Sequence, residues 1–269
     1  MPEGPEIFLA ARAVHAAVAQ QACSLELRHP VLAAKADSLS GVSIARVHAR
    51  SKAMLTEFAN GVVLYSHNQL YGEWVVHPAG APLLTKQVRL VISTARHQTV
   101  LYSATDFAWL RAGAEDAHPY IAKLGPEVLN PQVTAQHISQ RLSTFPRRVI
   151  ADALIDQQVI AGLGNYLRAD ILLVSKVNPL RKIGTLTVPE LLRIAKACKT
   201  LTQRSVRRNG VVRPWAQYQA VRAAGADFEA ARFYAFDRLG APCWNCATPI
   251  ERVLRGGRGL FFCPACQSH

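Results

Sequence analysis

Four cysteines near the C-terminus constrain this chain more than any other feature. Cys243, Cys246, Cys263 and Cys266 follow the spacing C-x2-C-x16-C-x2-C. Two residues between partners let each pair grip one ion from a tight turn, and two such turns complete a tetrahedral thiolate site. Between the pairs lie the β-forming stretches Ile250–Leu254 and Gly259–Phe262, separated by Gly256-Gly257, which predicts a β-hairpin. A redox couple, or two accidental turns, would not require both pairs to share one short module. Four thiolates leave no position open for water, so the predicted zinc, one per chain, is structural. Of the two remaining cysteines, Cys198 is a predicted core residue and Cys23 has no assigned role.

The charge balance points to the kind of partner. Thirty-one Lys and Arg against 18 Asp and Glu give a formal net charge of +13. A chain this basic meets a polyanion, either nucleic acid or an anionic membrane. No stretch approaches the ~18 apolar residues of a membrane span. The start, Met1-Pro2-Glu3-Gly4-Pro5-Glu6, has neither the basic residues nor the apolar core of a signal peptide. A cytoplasmic protein without a membrane partner is therefore expected, and in a reducing compartment its cysteines serve as thiols or metal ligands rather than disulfides. Half of the 269 residues are hydrophobic, enough for a sizeable core and too many for disorder.

Patterning divides the chain. Pro5 suits a first helical turn, and Ile7, Ala10, Ala11, Val14 and Val18 form a stripe at helical spacing. Residues 22–112 change character: Val88–Ile92 and Thr99–Tyr102 are short and rich in β-formers, with breakers such as Asn60-Gly61 between segments. This part reads as an antiparallel β-sandwich or flattened barrel. The stretch from Gly125 to Pro131, with two prolines and a glycine, predicts an interdomain hinge at 125–132. From 133 to 206 the pattern is helical, and Thr187-Val188-Pro189-Glu190 has the spacing of a capping box. Residues 207–231 are basic and carry no clear period. The predicted class is α+β: an N-terminal helix and β-sandwich at 1–124, a helical domain at 133–232, and the cysteine module at 233–269.

The N-terminus carries unusual chemistry. Removing Met1 would expose a secondary amine on Pro2. An α-amino group titrates near ~8 against ~10.4 for lysine, so part of it is free base at neutral pH and can attack a sugar carbon to form an iminium. Glu3 and Glu6 flank it at the helix start. Taken alone, Pro and Glu there are simply favoured helix-start residues.

Other segments decide the matter. The start Pro2-Glu3-Gly4-Pro5-Glu6-Ile7, the stretch Gly162-Leu163-Gly164-Asn165-Tyr166-Leu167-Arg168-Ala169-Asp170, and the ending Phe262-Cys263-Pro264-Ala265-Cys266-Gln267 resemble the formamidopyrimidine-DNA glycosylase/endonuclease VIII family. The resemblance runs end to end, in the same order. Tyr65–Gly72, and the tyrosine of Gly164-Asn165-Tyr166, resemble the endonuclease VIII branch.

That resemblance implies roles. Pro2 is the expected Schiff-base nucleophile at the sugar C1′, Glu3 the general acid/base, and Glu6 a supporting carboxylate. Lys52 matches the family's turn lysine, which assists at phosphate and in β-elimination, although alone it reads as a solvated strand charge. Arg258, five residues before Cys263, matches the finger arginine that grips phosphate and assists δ-elimination; only that offset selects it over Arg252 and Arg255. Asn165 matches a phosphate ligand of the helix-two-turn-helix, and Lys123 a basic DNA-contacting residue. Gly162 and Gly164 free the backbone before a helix whose amides favour phosphate. Arg147, Arg148 and Arg168 either add phosphate contacts or solubilise a helical face. The stretch Gly225–Arg232 has no motif match.

Gln69-Leu70-Tyr71 follows the predicted strand Val62–Tyr65 and should lie on the turn beyond it. An amide, an apolar wedge and an aromatic ring suit the filling of a gap left by an extruded nucleotide. Without the resemblance, Leu70 and Tyr71 read as β-domain core; as a wedge they should be exposed. The resemblance thus implies a monomeric, bifunctional glycosylase and abasic-site lyase acting on damaged double-stranded DNA. It would remove oxidised pyrimidines by β,δ-elimination. The alternatives are a formamidopyrimidine-type enzyme for oxidised purines and a non-catalytic zinc-finger DNA-binding protein, which retention of Met1 would favour. RNA binding fits the charge but explains nothing about the N-terminus.

Overall fold

Pro5 stands in the first turn of helix α1 (Gly4–Val18), where a missing N–H costs nothing, and Ile7, Ala11, Val14 and Val18 form its buried stripe. The computed structural model describes residues 2–268. After α1 come β1 (Ser24–Leu27), the short helical turns α2 (Pro30–Ala33) and α3 (Ala36–Leu39), and seven strands. These are β2 (Ile44–Arg50), β3 (Ala53–Phe58), β4 (Val62–His67), β5 (Glu73–Pro78), β6 (Val88–Ser93), β7 (His97–Tyr102) and β8 (Asp106–Arg111). They form two antiparallel four-stranded sheets, ordered β1-β6-β7-β5 and β2-β3-β4-β8, as the β-sandwich reading anticipates. Met54 and Leu64 from one sheet, and Trp74, Leu90 and Leu101 from the other, share a core with α1. Ala53, Leu55, Val63 and Tyr65 face the other way and are covered by Ile121. Burial on both faces explains why Ala53-Met54-Leu55 of β3 and Val62-Val63-Leu64-Tyr65 of β4 are apolar without alternation.

The chain divides into two compact units, Met1–Lys123 and Leu124–His269. The second contains α4 (Ala135–Ser143), α5 (Ile150–Ile155), α6 (Asn165–Val174), α7 (Val188–Arg207), α8 (Trp215–Ala223), α9 (Phe228–Arg232), and the hairpin strands β9 (Glu251–Arg255) and β10 (Arg258–Phe262). Thr187 and Glu190 form the anticipated capping box at the start of α7, and Leu191, Ile194, Ala195, Cys198 and Leu201 form its buried face. Residues 207–231, unreadable by period, hold α8 and α9; the Asp227 carboxylate caps α9 by accepting the Ala230 N–H at 2.7 Å. Residues 125–130 hydrogen-bond within the second unit. Gly125 N–H donates to Gln157 O, Val128 N–H to Ala161 O, and Lys199 Nζ to the Val128 and Asn130 carbonyls at 2.8 and 2.9 Å. A Cβ on Gly125 would sit 2.5 Å from Gln158 O, so this close approach requires glycine.

Helix α6 is the hub of this unit. Every residue from Tyr166 to Leu173 is buried. Leu167, Ile171 and Leu172 join the helical core, while Ala169 and Leu173 pack with Cys243, Ile250, Phe261 and Cys263 of the cysteine module. No helix among the described residues is long and apolar enough to cross a membrane.

Candidate functional site

In the first unit, Pro2 and Glu3 stand at the start of α1. Glu3 is the N-cap residue and only 3% exposed. Its N–H donates to Glu6 Oε2 at 2.9 Å, within a capping box that fixes both carboxylates at the helix entrance. Glu6 therefore holds the backbone at Glu3.

Lys52 lies in the two-residue turn between β2 and β3, where Arg50 pairs with Ala53. Ser51 takes a left-handed φ of 58° to close that turn. Lys52 is 6% exposed, so it is not the solvated strand charge that its residue type suggests. Its N–H donates to Tyr120 Oη at 3.3 Å. Burial pushes the His67 imidazole below its ordinary pKa; Asp106 opposes this, and the Lys52 ammonium adds to it. His67 Nδ1 accepts the Gln69 N–H at 3.0 Å, and the Tyr120 ring meets the imidazole edge-on at 5.2 Å.

The turn after β4 carries Gln69-Leu70-Tyr71. Leu70 is 55% and Tyr71 77% exposed, and Gln69 has a left-handed φ of 51°. The turn is closed behind them by the Gly72 N–H donating to Asn68 O at 2.8 Å. A Cβ on Gly72 would meet Asn68 O at 2.6 Å, so only glycine fits. Two large apolar side chains held in solvent by a tight, specified turn are outside the β-domain core. Lys123 is exposed at the end of a short 3-10 turn, Ile121–Lys123.

In the second unit, the cysteine module and α6 are joined by polar contacts that the sequence did not announce. Asn165, the first residue of α6, donates from Nδ2 to Gly259 O at 3.0 Å and accepts from Arg168 at Oδ1. Arg168 is fully buried and also donates to Gly259 O. This corrects both sequence readings of Arg168: burial removes it from phosphate and from the solubilising surface alike. Arg148 pairs with Asp156 at 2.7 Å. Asp170 is fully buried and accepts the N–H groups of Tyr234, Ala235 and Phe236 at 2.8, 2.8 and 3.1 Å. Burial pushes its carboxyl up to about 6, against those donors and Arg238, so at neutral pH it remains an ionised acceptor. Trp244, inside the first cysteine pair, lies between two guanidinium groups: Arg213 and Arg238 each stand 4.0 Å from its ring centroid.

The hairpin separates its three arginines, and among the described residues only Arg255 is tied by an ion pair. Gly256 and Gly257, with φ of 55° and 73°, make a two-residue turn that pairs Arg255 with Arg258. Arg255 is held by Asp152 through two hydrogen bonds at 2.8 and 2.6 Å. Arg252 lies beside Gly259 and over Phe261. Arg258 is exposed at the hairpin tip and, like Arg252, makes no ion pair among the described residues.

The four cysteine sulfurs lie within 4.8 Å of one another, with Cys246 at 3.5 and 3.4 Å from Cys263 and Cys266, and Cys243 at 4.0 Å from Cys266. Such a cluster can hold a metal ion. Gln267 supports it: its Oε1 accepts the Cys263 N–H, and its Nε2 donates to Val177 O, both at 2.9 Å. Cys198 sits in the helical core, its thiol pushed up to about 12 by burial.

These features define a β-sandwich unit followed by a helical unit with a four-cysteine hairpin, and comparison with known proteins places that combination. Residues 1–106 match the formamidopyrimidine-DNA glycosylase N-terminal domain, and residues 124–213 match the formamidopyrimidine-DNA glycosylase H2TH domain. The chain belongs to the formamidopyrimidine-DNA glycosylase/endonuclease 8 family and is a DNA glycosylase/abasic-site lyase of base excision repair. Within that family it is 36% identical to endonuclease 8 of Escherichia coli over 271 residues, covering 99% of this chain and all of the relative. It is equally similar to endonuclease 8 of Pectobacterium atrosepticum over 272 residues, with both chains fully covered. Its fold resembles that of Lactococcus lactis formamidopyrimidine DNA glycosylase bound to DNA containing an abasic site. The TM-score is 0.81 at 21% identity, over 99% of this chain and 100% of the other.

Proposed function

We propose that this enzyme removes oxidised pyrimidines from duplex DNA and then cleaves the strand by β,δ-elimination. The observation that carries the substrate choice is the exposed Gln69-Leu70-Tyr71 turn, whose residues follow the endonuclease VIII pattern. The full-length identity to endonuclease 8 proteins supports it.

The chemistry follows from the residues. With Met1 removed, the Pro2 amine attacks C1′ of the damaged nucleotide, the glycosidic C–N bond breaks, and the base departs with a proton. Glu3, buried at the helix entrance, moves protons as the sugar ring opens and the iminium forms. Loss of a C2′ proton expels the 3′ phosphate, with Lys52 assisting. A second elimination, assisted by Arg258, expels the 5′ phosphate, and water frees Pro2 by hydrolysing the iminium. Asn165 and Lys123 serve as DNA contacts; since the Asn165 amide nitrogen already donates to Gly259 O, its other N–H is the donor left for phosphate.

The cysteine module fits one structural zinc. A tetrahedral tetrathiolate with 2.3 Å bonds spaces its sulfurs about 3.8 Å apart; three of the six separations here, at 3.4–4.0 Å, bracket that value, and all six lie within 4.8 Å. Bound there, zinc would supply no chemistry to the reaction; it would fix the hairpin that presents Arg258. In this reading residues 1–124 carry the chemistry, 133–232 and 233–269 hold DNA, and 125–132 link them. The enzyme acts as a monomer on damaged duplex DNA in the cytoplasm, associated with the nucleoid.

Borohydride trapping on duplexes carrying thymine glycol or 8-oxoguanine tests the substrate class. Faster trapping on thymine glycol is expected; preference for 8-oxoguanine would place the enzyme with the purine-directed branch.

A further inference from the structure

The Gln69 side chain is oriented before any DNA arrives. Its Nε2 donates to Asp106 Oδ2 at 3.2 Å, while its backbone N–H donates to His67 Nδ1 at 3.0 Å. His67 and Asp106 are themselves register partners, the last pair where β4 meets β8. The Tyr65 hydroxyl, buried and stacked on His118 at 3.9 Å, lies 3.5 Å from the same Asp106 oxygen. Two strand ends thus converge on one exposed glutamine whose backbone sits in the left-handed region, where a residue with a Cβ needs holding.

We propose that Asp106 is a positioning residue that presets the Gln69 amide for the base left unpaired when the damaged nucleotide is extruded. The proposal rests on the reading of Gln69-Leu70-Tyr71 as the element that fills that gap. The chemistry of the acceptor fixes the orientation. A carboxylate only accepts, so the amide nitrogen must face Asp106. The amide oxygen and the second N–H are then turned away together, as an adjacent acceptor and donor. That pair matches the pairing edge of an orphaned base, which offers adjacent donors and acceptors of its own. Without Asp106 the amide could turn over and would have to be ordered during insertion. His67 completes the arrangement from the backbone side: its Nδ1 must be unprotonated to accept the Gln69 N–H, which burial favours.

The test is a double-mutant cycle on Gln69→Ala and Asp106→Ala. Single-turnover excision is measured on a thymine glycol duplex, alongside cleavage of an abasic single strand, where no orphaned base exists. Asp106→Ala should lower the ratio of duplex to single-strand rates roughly threefold to tenfold, the effect of one ordinary hydrogen bond, because this contact is exposed and solvent screens the charge. Asp106→Asn, which keeps an acceptor oxygen, should restore most of it. In the Gln69→Ala background, Asp106→Ala should add nothing, because it acts only through that amide. A slow Gln69→Ala beside an unaffected Asp106→Ala, or fully multiplicative effects, would overturn the proposal and leave the wedge reading standing. A neutral Gln69→Ala would remove both. Where alanine at 106 lowers the melting temperature, Asp106→Ser repeats the cycle with a small polar residue too short to reach Gln69.

Discussion

Replacing Asp170 with alanine strands three backbone N–H groups at once. The carboxylate that accepts from Tyr234, Ala235 and Phe236 is fully buried, so water cannot take its place. Each buried donor left without a partner costs about 1–3 kcal/mol. The three are adjacent and can relax together, so the sum falls short of three full penalties, at about 3–6 kcal/mol. A domain's whole stability is about 5–15 kcal/mol, so the second unit should survive only marginally. Asp170→Asn keeps one acceptor oxygen but adds N–H donors of its own, and should lose less, about 1–3 kcal/mol. Urea unfolding followed by tryptophan fluorescence reads the change, because Trp244 stacks beside Arg213 and Arg238 and donates to Phe233 O within the same segment. The segment from 233 to 236 leads into the cysteine module, so the weakened variant should also lose DNA affinity more readily on warming. If Asp170→Ala unfolded within ~1 kcal/mol of the parent, the claim that this carboxylate anchors the module to α6 would be wrong.

Three further outcomes follow from the same structure. The Thr187 N–H and hydroxyl, with Arg181, overcome the effect of burial and hold the Glu190 carboxyl down at about 2, below its usual 4.5. Its contribution is therefore complete above about pH 4.5 and lost as pH falls toward 2; Glu190→Gln should flatten that part of the stability–pH curve, and an unchanged curve would assign the acid loss elsewhere. Gly72→Ala should cost roughly 2 kcal/mol or more, because the new Cβ meets backbone rather than a yielding side chain, and it should slow excision on duplex DNA; a neutral substitution would show that the wedge turn is not rigid. Removing metal with a chelator, or Cys263→Ser, should weaken DNA binding by disordering the hairpin that presents Arg258, whereas full affinity in metal-free protein would exclude the module from binding.

Much of this was readable from residues alone, and what escaped has a common cause. The cysteine spacing, the Gly256-Gly257 turn and the Thr187–Glu190 box are local signals, and each appears where the sequence places it. The exposure of Leu70 and Tyr71 was open on composition, since both residues suit a core; the resemblance decided it. Arg168 failed as a surface charge because its partners, Asn165 and Gly259, are brought to it by α6 and by a hairpin some ninety residues away. Asp170 and the Arg213–Trp244–Arg238 stack were invisible for the same reason: nothing in sequence marks a contact made across the fold. Helices α8 and α9 were missed because α8 has no buried residues, so no apolar stripe betrays its period.

The central claim is that the N-terminal amine does the chemistry. It is tested most directly by trapping the enzyme on damaged duplex with borohydride and locating the adduct by peptide mass mapping. The adduct should lie on Pro2 in protein lacking Met1, and protein with a blocked N-terminus should not trap. An adduct on Lys52, or trapping undiminished by the block, would contradict the account.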